Sequence, residues 1–335
     1  MRKLFQRLGV FPATIACVLA AFWVLGLIVL PQATMIERSL WWEERPADAQ
    51  QAAQALDQAW MEQARLSLDD PSPERDARLA EVEAEIARLE QVETKPVRAW
   101  GLSNYLRMSG LHLRIFLWTL GASLAVTLIA FVVCYPIAWA VATAGPGLRG
   151  PLLLTGLIIP YAVNELLRIF AWLILLDREG LVNTLLQGLG LPPVPFVETG
   201  SGVFITMVYT YVLFMVFPML NSMETLDRAQ VEAARDLGAS IPQIHRRVII
   251  PHSRPGIAIG CIMTFMLAAG SYAVPWIMSR GVGGDWFTQL VYRQFYEANQ
   301  WNVGAAYAVT LLIACLAFVL VVMKVMRVSL REIAR

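Results

Sequence analysis

The sequence predicts an all-α membrane protein with six transmembrane helices, on three observations. Only 16% of its residues are charged, against 57% hydrophobic, whereas a soluble domain carries about 25% charged residues. The charges are also segregated. Five regions, 8–36, 115–148, 199–223, 255–279 and 298–323, hold no Asp, Glu, Lys or Arg. Each exceeds the ~20 residues that an apolar helix needs to cross a bilayer. A sixth, 152–176, is interrupted only by Glu165 and Arg168. Finally, the basic residues alternate between the intervening segments as they do in a multi-pass protein.

The first run follows Arg2 and Lys3, as a secretory signal would. It is about twice as long as the ~7–15-residue apolar stretch of such a signal, and it is read as an uncleaved span. Arg2, Lys3 and Arg7 precede it. Arg228, Arg235, Arg246, Arg247 and Arg254 lie between the fourth and fifth spans. Lys324, Arg327, Arg331 and Arg335 follow the sixth. The positive-inside rule places all three groups in the cytoplasm, so both termini are expected there. The segment after the third span, with Asp177, Arg178, Glu179 and Glu198, is net acidic and falls outside. The chain then reads as an N-terminal tail and first span (1–33), an extracytoplasmic insertion (34–113), a five-span core (114–327) with a cytoplasmic loop at 224–254, and a cytoplasmic tail (328–335).

The insertion is expected to hold a helical hairpin. An Ala- and Gln-rich stretch over 47–68 and a charged stretch over 74–92 flank Asp69-Asp70-Pro71-Ser72-Pro73. Ser72 is placed to cap the second helix, with Pro73 in its first position. Leu79, Val82, Ile86 and Leu89 recur at helical spacing. Such a hairpin is either a solvated decoration or a docking surface. Within the spans, Pro136, Pro160 and Pro275 each remove a backbone hydrogen bond, as in a packed bundle with bent helices.

Several chemistries find no support. Cys17, Cys134, Cys261 and Cys315 lie in apolar runs without zinc spacing, and the three histidines form no ligand cluster. The formal net charge of +1 implies no nucleic-acid partner.

The most informative stretch is Glu232-Ala233-Ala234-Arg235-Asp236-Leu237-Gly238, followed by Val248-Ile249-Ile250-Pro251. Residues 224–237 favour a helix, and Gly238 suits the left-handed position that ends one. Pro242 then opens a second short helix leading to Pro251. Without partners, the same stretch reads as an amphipathic interfacial helix. It resembles the cytoplasmic EAA loop of ABC importer permeases, E-A-A-x3-G-x9-I-x-L-P, with Val248 and Ile250 in place of Ile and Leu. The resemblance implies that Glu232, Ala233, Ala234, Gly238 and Pro251 belong to a segment that seats in a groove of an ABC ATPase subunit.

Further residues resemble the polyamine/opine branch of that family. They are Tyr135-Pro136, Pro160 with Asn164 and Arg168, Gly270-Ser271-Tyr272 with Pro275, and Trp301 with Gly304-Ala305-Ala306. The hairpin, Glu165 and Met278-Ser279-Arg280 depart from the pattern. The resemblance implies an importer permease of the bacterial inner membrane that makes and breaks no covalent bond. Its partners would be ABC ATPase subunits, a second permease, identical or homologous, and an extracytoplasmic solute-binding protein. No G-x-x-x-x-G-K-[ST] loop occurs in the chain, so it has no recognisable means of binding ATP. No cofactor is expected in this chain, and ATP and Mg are expected on the ATPase partner.

For the solute pathway, Tyr161, Glu165, Arg168 and Trp172 fall at offsets of 0, 4, 7 and 11 and are expected on one helix face, with Asn164 beside them. Intramembrane charge usually faces a bundle interior or a water-filled path. Aromatic faces and a carboxylate suit an ammonium-bearing solute. The alternatives are a structural Glu165–Arg168 pair, or pairing to the second permease. Polyamine is the first substrate class, and an opine or other amino-acid derivative the second. A membrane-anchored scaffold or an ion-driven secondary transporter would leave the EAA-like segment unexplained.

Overall fold

The computed structural model describes residues 10–44, 47–68, 73–90, 97–144, 147, 149–279 and 286–329. They fall into two compact units, Met1–Arg107 and Met108–Arg335.

In the first unit, α1 (Val10–Trp23) continues through a π-helical turn, Val24–Val29, into α2 (Leu30–Ser39). Thr14–Ser39 is a single helix long and apolar enough to span a membrane. Val18, Phe22 and Leu27 are exposed, as on a helix whose solvent is lipid. Strand β1 (Trp41–Glu44) follows, then α3 (Ala47–Leu68) and α4 (Pro73–Glu90), then strand β2 (Val97–Trp100) and a single turn, α5 (Ser103–Leu106).

The two long helices are the hairpin expected from sequence. Pro73 does open α4, whereas the Ser72 cap lies outside the described residues. Val82 and Ile86 are buried against Ala59, with Leu56 and Leu66 around them. The Arg78 guanidinium reaches Glu62 of α3 at 3.1 Å and Glu81 at 2.9 Å. The ribbon beneath the hairpin was not legible in the sequence. β1 and β2 pair antiparallel, with Trp41 opposite Trp100 and Glu44 opposite Val97. Asn104 clamps the base of the ribbon: its side-chain amide donates to the carbonyls of Ser39 at 3.0 Å and Trp41 at 2.8 Å. Tyr105 donates to the Ser39 hydroxyl at 2.8 Å.

The second unit holds α6 (Gly110–Ala142), α7 (Arg149–Ile158), a 3-10 turn (Ile159–Ala162), α8 (Glu165–Leu176), α9 (Leu181–Gly188) and α10 (Ser201–Glu224). Then come α11 (Arg228–Asp236), α12 (Ile241–Ile244), a π-helical turn (His245–Ile249), α13 (Ile250–His252) and α14 (Arg254–Ala269). The last elements are α15 (Ala273–Ser279), α16 (Phe287–Tyr296) and α17 (Trp301–Met326).

Helices α6, α10 and α14 form the centre. Val126, Ala130, Cys134 and Ala138 of α6 meet Met207, Met215 and Met219 of α10. Small residues set the closest approach. A Cβ on Gly256 of α14 would collide with the Pro218 carbonyl of α10, and one on Gly260 would lie 2.9 Å from the Met215 sulfur. Spaced four apart, these glycines let two backbones touch, as small residues do between membrane helices.

Among the described residues, four helices are long and apolar enough to cross a membrane, and two strongly bent pairs raise the number to as many as six. The sequence reading treated 152–176 and 255–279 as continuous helices, and the structure breaks both. The 150–188 pair bends by 98°. Pro160 sits in the 3-10 turn and lacks an N–H to continue the ladder. Asn164 restarts the helix, its side-chain oxygen accepting the Leu166 N–H at 2.9 Å. The other stretch stops at Ala269 and resumes at Ala273. Pro275 thereby falls in a first turn, where its missing N–H is harmless. Pro136 alone of the three lies deep within a helix, and Pro218 of α10 joins it.

Candidate coupling segment and solute cavity

The segment between α10 and α14 is built from capped short pieces. The Asp227 carboxylate accepts the Ala229 N–H at 3.0 Å and starts α11. Helix α10 has already ended at Glu224, so the expected helix over 224–237 is shorter at its start. Gly238 stops α11 with φ at +77°. Its N–H donates to the Arg235 carbonyl at 2.8 Å, and the Ala239 N–H donates to the Ala234 carbonyl at 3.0 Å. That pair of bonds is the Schellman arrangement, and the left-handed residue it needs is cheapest as glycine. The next helix starts immediately: the Ser240 N–H donates to the Gln243 side chain at 2.9 Å, and Pro242 lies in its first turn.

The result is a tight corner with an open tip. Glu232, Ala233 and Gly238 are exposed, and Leu237 and Ile241 beside them are 88% and 69% exposed. Ala234 turns the other way, packing with Val231 and Ala239 onto buried Leu226, Ile244 and Ile249. Pro251 is half-buried in α13, away from the tip. A small, capped corner with exposed apolar residues is suited to insertion into a groove.

His245 joins this segment to α6, a contact that sequence reasoning missed. Its Nδ1 lies 2.7 Å from the Tyr135 hydroxyl, and its ring meets Tyr135 and Trp139 edge-on at 5.7 and 5.2 Å. Burial pushes the imidazole below its ordinary value. Tyr135 and His245 are far apart in the chain, and no local pattern pairs them.

The second candidate site lies at the break before α8. A cavity of about 370 Å³ is lined by Tyr161, Glu165 and Arg168 together with Tyr211, Ser271 and Tyr272. The broken span still gathers three of the five residues predicted for a pathway. Tyr161 is fixed by its hydroxyl, which donates to the carbonyls of Tyr209 and Thr210, each at 2.8 Å. The Arg168 guanidinium lies over the Tyr161 ring, 4.2 Å from its centre. Its Nε and Nη1 are buried without a hydrogen-bond partner. Among the described residues, no ion pair joins Glu165 to Arg168, and the exposed carboxylate faces the cavity uncommitted.

The other two predicted residues are placed differently. Asn164 is the cap of α8. Trp172 packs on Tyr209 at 5.1 Å and lines a separate, apolar cavity of about 450 Å³, which Tyr161 also borders. Tyr211 and Tyr272, which sequence reasoning did not assign to the cavity, are brought in by α10 and by the break after Ala269.

Residues 150–331 match the family described as binding-protein-dependent transport system inner membrane component. The chain is 39% identical over 215 residues to the spermidine/putrescine transport system permease protein PotB of Escherichia coli (strain K12), covering 63% of this chain and 78% of that one. It is 31% identical over 221 residues to the inner membrane ABC transporter permease protein YdcU of the same strain, covering 61% and 70% of the two chains. In fold it is similar to a chain of a bacterial ABC transporter involved in the import of the acidic polysaccharide alginate. The TM-score is 0.56 at 17% identity, over 83% of this chain and 98% of that chain. The chain belongs to the family of binding-protein-dependent transport inner membrane components and is a multi-pass permease subunit of an ABC importer in the bacterial inner membrane.

Proposed function

We propose that this permease moves a polyamine of the spermidine/putrescine kind into the cytoplasm. One observation carries the reading: the Glu165 carboxylate stands unpaired in a cavity walled by tyrosines. Ammonium groups are attracted both to carboxylates and to aromatic faces. Arg168 already shows the second geometry in the same cavity. The names of relatives such as PotB support the same substrate class. An amino-acid derivative is the second reading, favoured by Arg168, whose buried nitrogens have donors to offer a carboxylate.

In this account the chain has six spans, with both termini and the 224–254 segment in the cytoplasm and the 47–90 hairpin outside. It pairs with a second permease, and an extracytoplasmic binding protein delivers the solute. ATP is bound together with Mg and hydrolysed on two ATPase subunits, one of which receives the Gly238 corner. Glu232, Ala233 and Gly238 form the contact, while Ala234 and Pro251 hold the corner's shape. ATP-driven closure of the ATPase pair pushes the corner, and the joint of His245 with Tyr135 and Trp139 passes that movement to α6.

Uptake into proteoliposomes containing the full complex tests the substrate. Labelled spermidine should enter in an ATP- and binding-protein-dependent manner, with unlabelled putrescine competing and an opine not. Competition by the opine alone would assign the site to amino-acid derivatives instead.

A further inference from the structure

The stretch between α14 and α17 carries aromatic rings that neither the coupling corner nor the cavity accounts for. Tyr272 stands at the cavity that holds Glu165. Its ring is tilted against Tyr292 of α16, with centres 5.0 Å apart. Tyr292 stacks in turn on Tyr296, at 4.7 Å. Trp276 of α15 lies parallel to Tyr272 at 5.8 Å. These rings are open: Tyr292 is 39%, Trp276 48% and Tyr296 69% exposed. The neighbouring aromatics Phe287 and Tyr307 are sealed in the core. Exposed Glu297 follows Tyr296 in the chain, and Glu165 lines the same cavity as Tyr272. Arg293 of α16 is itself engaged with a partner.

We propose that Tyr272, Tyr292 and Tyr296, flanked by Trp276, form an aromatic file that passes the ammonium groups of the solute from Glu297 to Glu165. The inference rests on the polyamine reading above and extends it to an access path. A cation is held by an exposed ring face more weakly than by a carboxylate. That weakness is useful in a path, because passage needs sites favourable enough to enter and weak enough to leave. A solute with several ammonium groups can keep one on a carboxylate while another moves from ring to ring. A neutral or anionic solute gains nothing from the ring faces.

The test is uptake of labelled spermidine by the complete complex in proteoliposomes, at saturating binding protein, with ATPase copurification as the assembly control. Tyr292→Phe keeps the ring face and should transport normally. Tyr292→Leu keeps bulk and loses the face, and uptake should fall about threefold to fivefold. Tyr296→Leu, at the more exposed ring, should act in the same direction. Fluorinated phenylalanines placed at position 292 draw electron density from the face while leaving its shape nearly unchanged. Uptake should decline stepwise as fluorines are added. A level series, with wild-type uptake intact, would overturn the file and leave the polyamine reading standing. Absence of spermidine uptake by the wild-type complex would overturn both.

Discussion

Two side chains of opposite charge, Glu165 and Arg168, line one cavity of this permease without pairing to each other. Arg168 spends its charge on the Tyr161 ring, and Glu165 keeps its own for the cavity. A structural Glu165–Arg168 pair predicts that each single change strands a charge and that the double change restores assembly. The geometry predicts otherwise. Glu165→Gln should leave assembly and basal ATP hydrolysis intact and lower spermidine uptake about tenfold or more, as expected for losing a charge-assisted contact. Adding Arg168→Met should give no rescue. Rescue of uptake in the double variant of the purified complex would restore the structural pair. His245 makes a second residue-scale prediction. Its imidazole is held below the ordinary value by burial, so the unfolded segment takes up a proton first as pH falls. The joint with Tyr135 therefore contributes fully above about pH 6.5 and weakens as pH drops from there toward the lowered value. Melting of the detergent-purified complex should become less stable below about pH 6.5, and His245→Gln should flatten that part of the profile. An identical slope in the variant would remove His245 from the account.

Elements were legible where periodicity is long and illegible where a short segment depends on a distant partner. The hairpin helices follow from 22 and 18 residues of patterned sequence. The ribbon does not, because strands of four residues have no period to read and Trp41 finds Trp100 only in three dimensions. The breaks at Pro160 and after Ala269 were half-written: Pro160 was visible, but only the cap by Asn164 turns a kink into a restart. The candidate site was read in part for the same reason. The Gly238 corner is local, so its glycine, helix and proline could be placed from sequence. The cavity needs α8, α10 and the break after Ala269 together, so Tyr211 and Tyr272 were not assigned to it, and Trp172 borders the neighbouring apolar cavity instead. The ribbon also makes the hairpin removable. Glu44 pairs with Val97, so a short Gly/Ser turn in place of the hairpin can close the ribbon. Uptake should survive that deletion, and complete loss of transport with an assembled complex would show the hairpin to be a docking element. At the centre, Gly256→Leu forces α10 and α14 apart. It should cost about 1–3 kcal/mol, as overpacking does, and lower the yield of folded permease in detergent. Unchanged thermal stability would contradict the close approach at Pro218.

On the scale of the whole molecule, the proposed mechanism joins a membrane bundle, whose sequence holds no G-x-x-x-x-G-K-[ST] loop, to a corner that an ATPase partner would push. The corner is capped at both helices, and in the proposed mechanism its load reaches α6 through the contact of His245 with Tyr135. Gly238→Ala should be mild, since a left-handed alanine costs about 1–2 kcal/mol and leaves the corner recognisable. Gly238→Pro is different. Proline fixes φ near −65°, whereas this position stands at +77°, and the N–H that bonds Arg235 is lost as well. The most direct measurement is ATP-driven solute uptake by a complex carrying Gly238→Pro, with membrane insertion and ATPase association quantified on the same preparation. The account predicts an inserted permease that holds the ATPase weakly and transports little. Uptake at the wild-type rate by a normally expressed Gly238→Pro permease would contradict it.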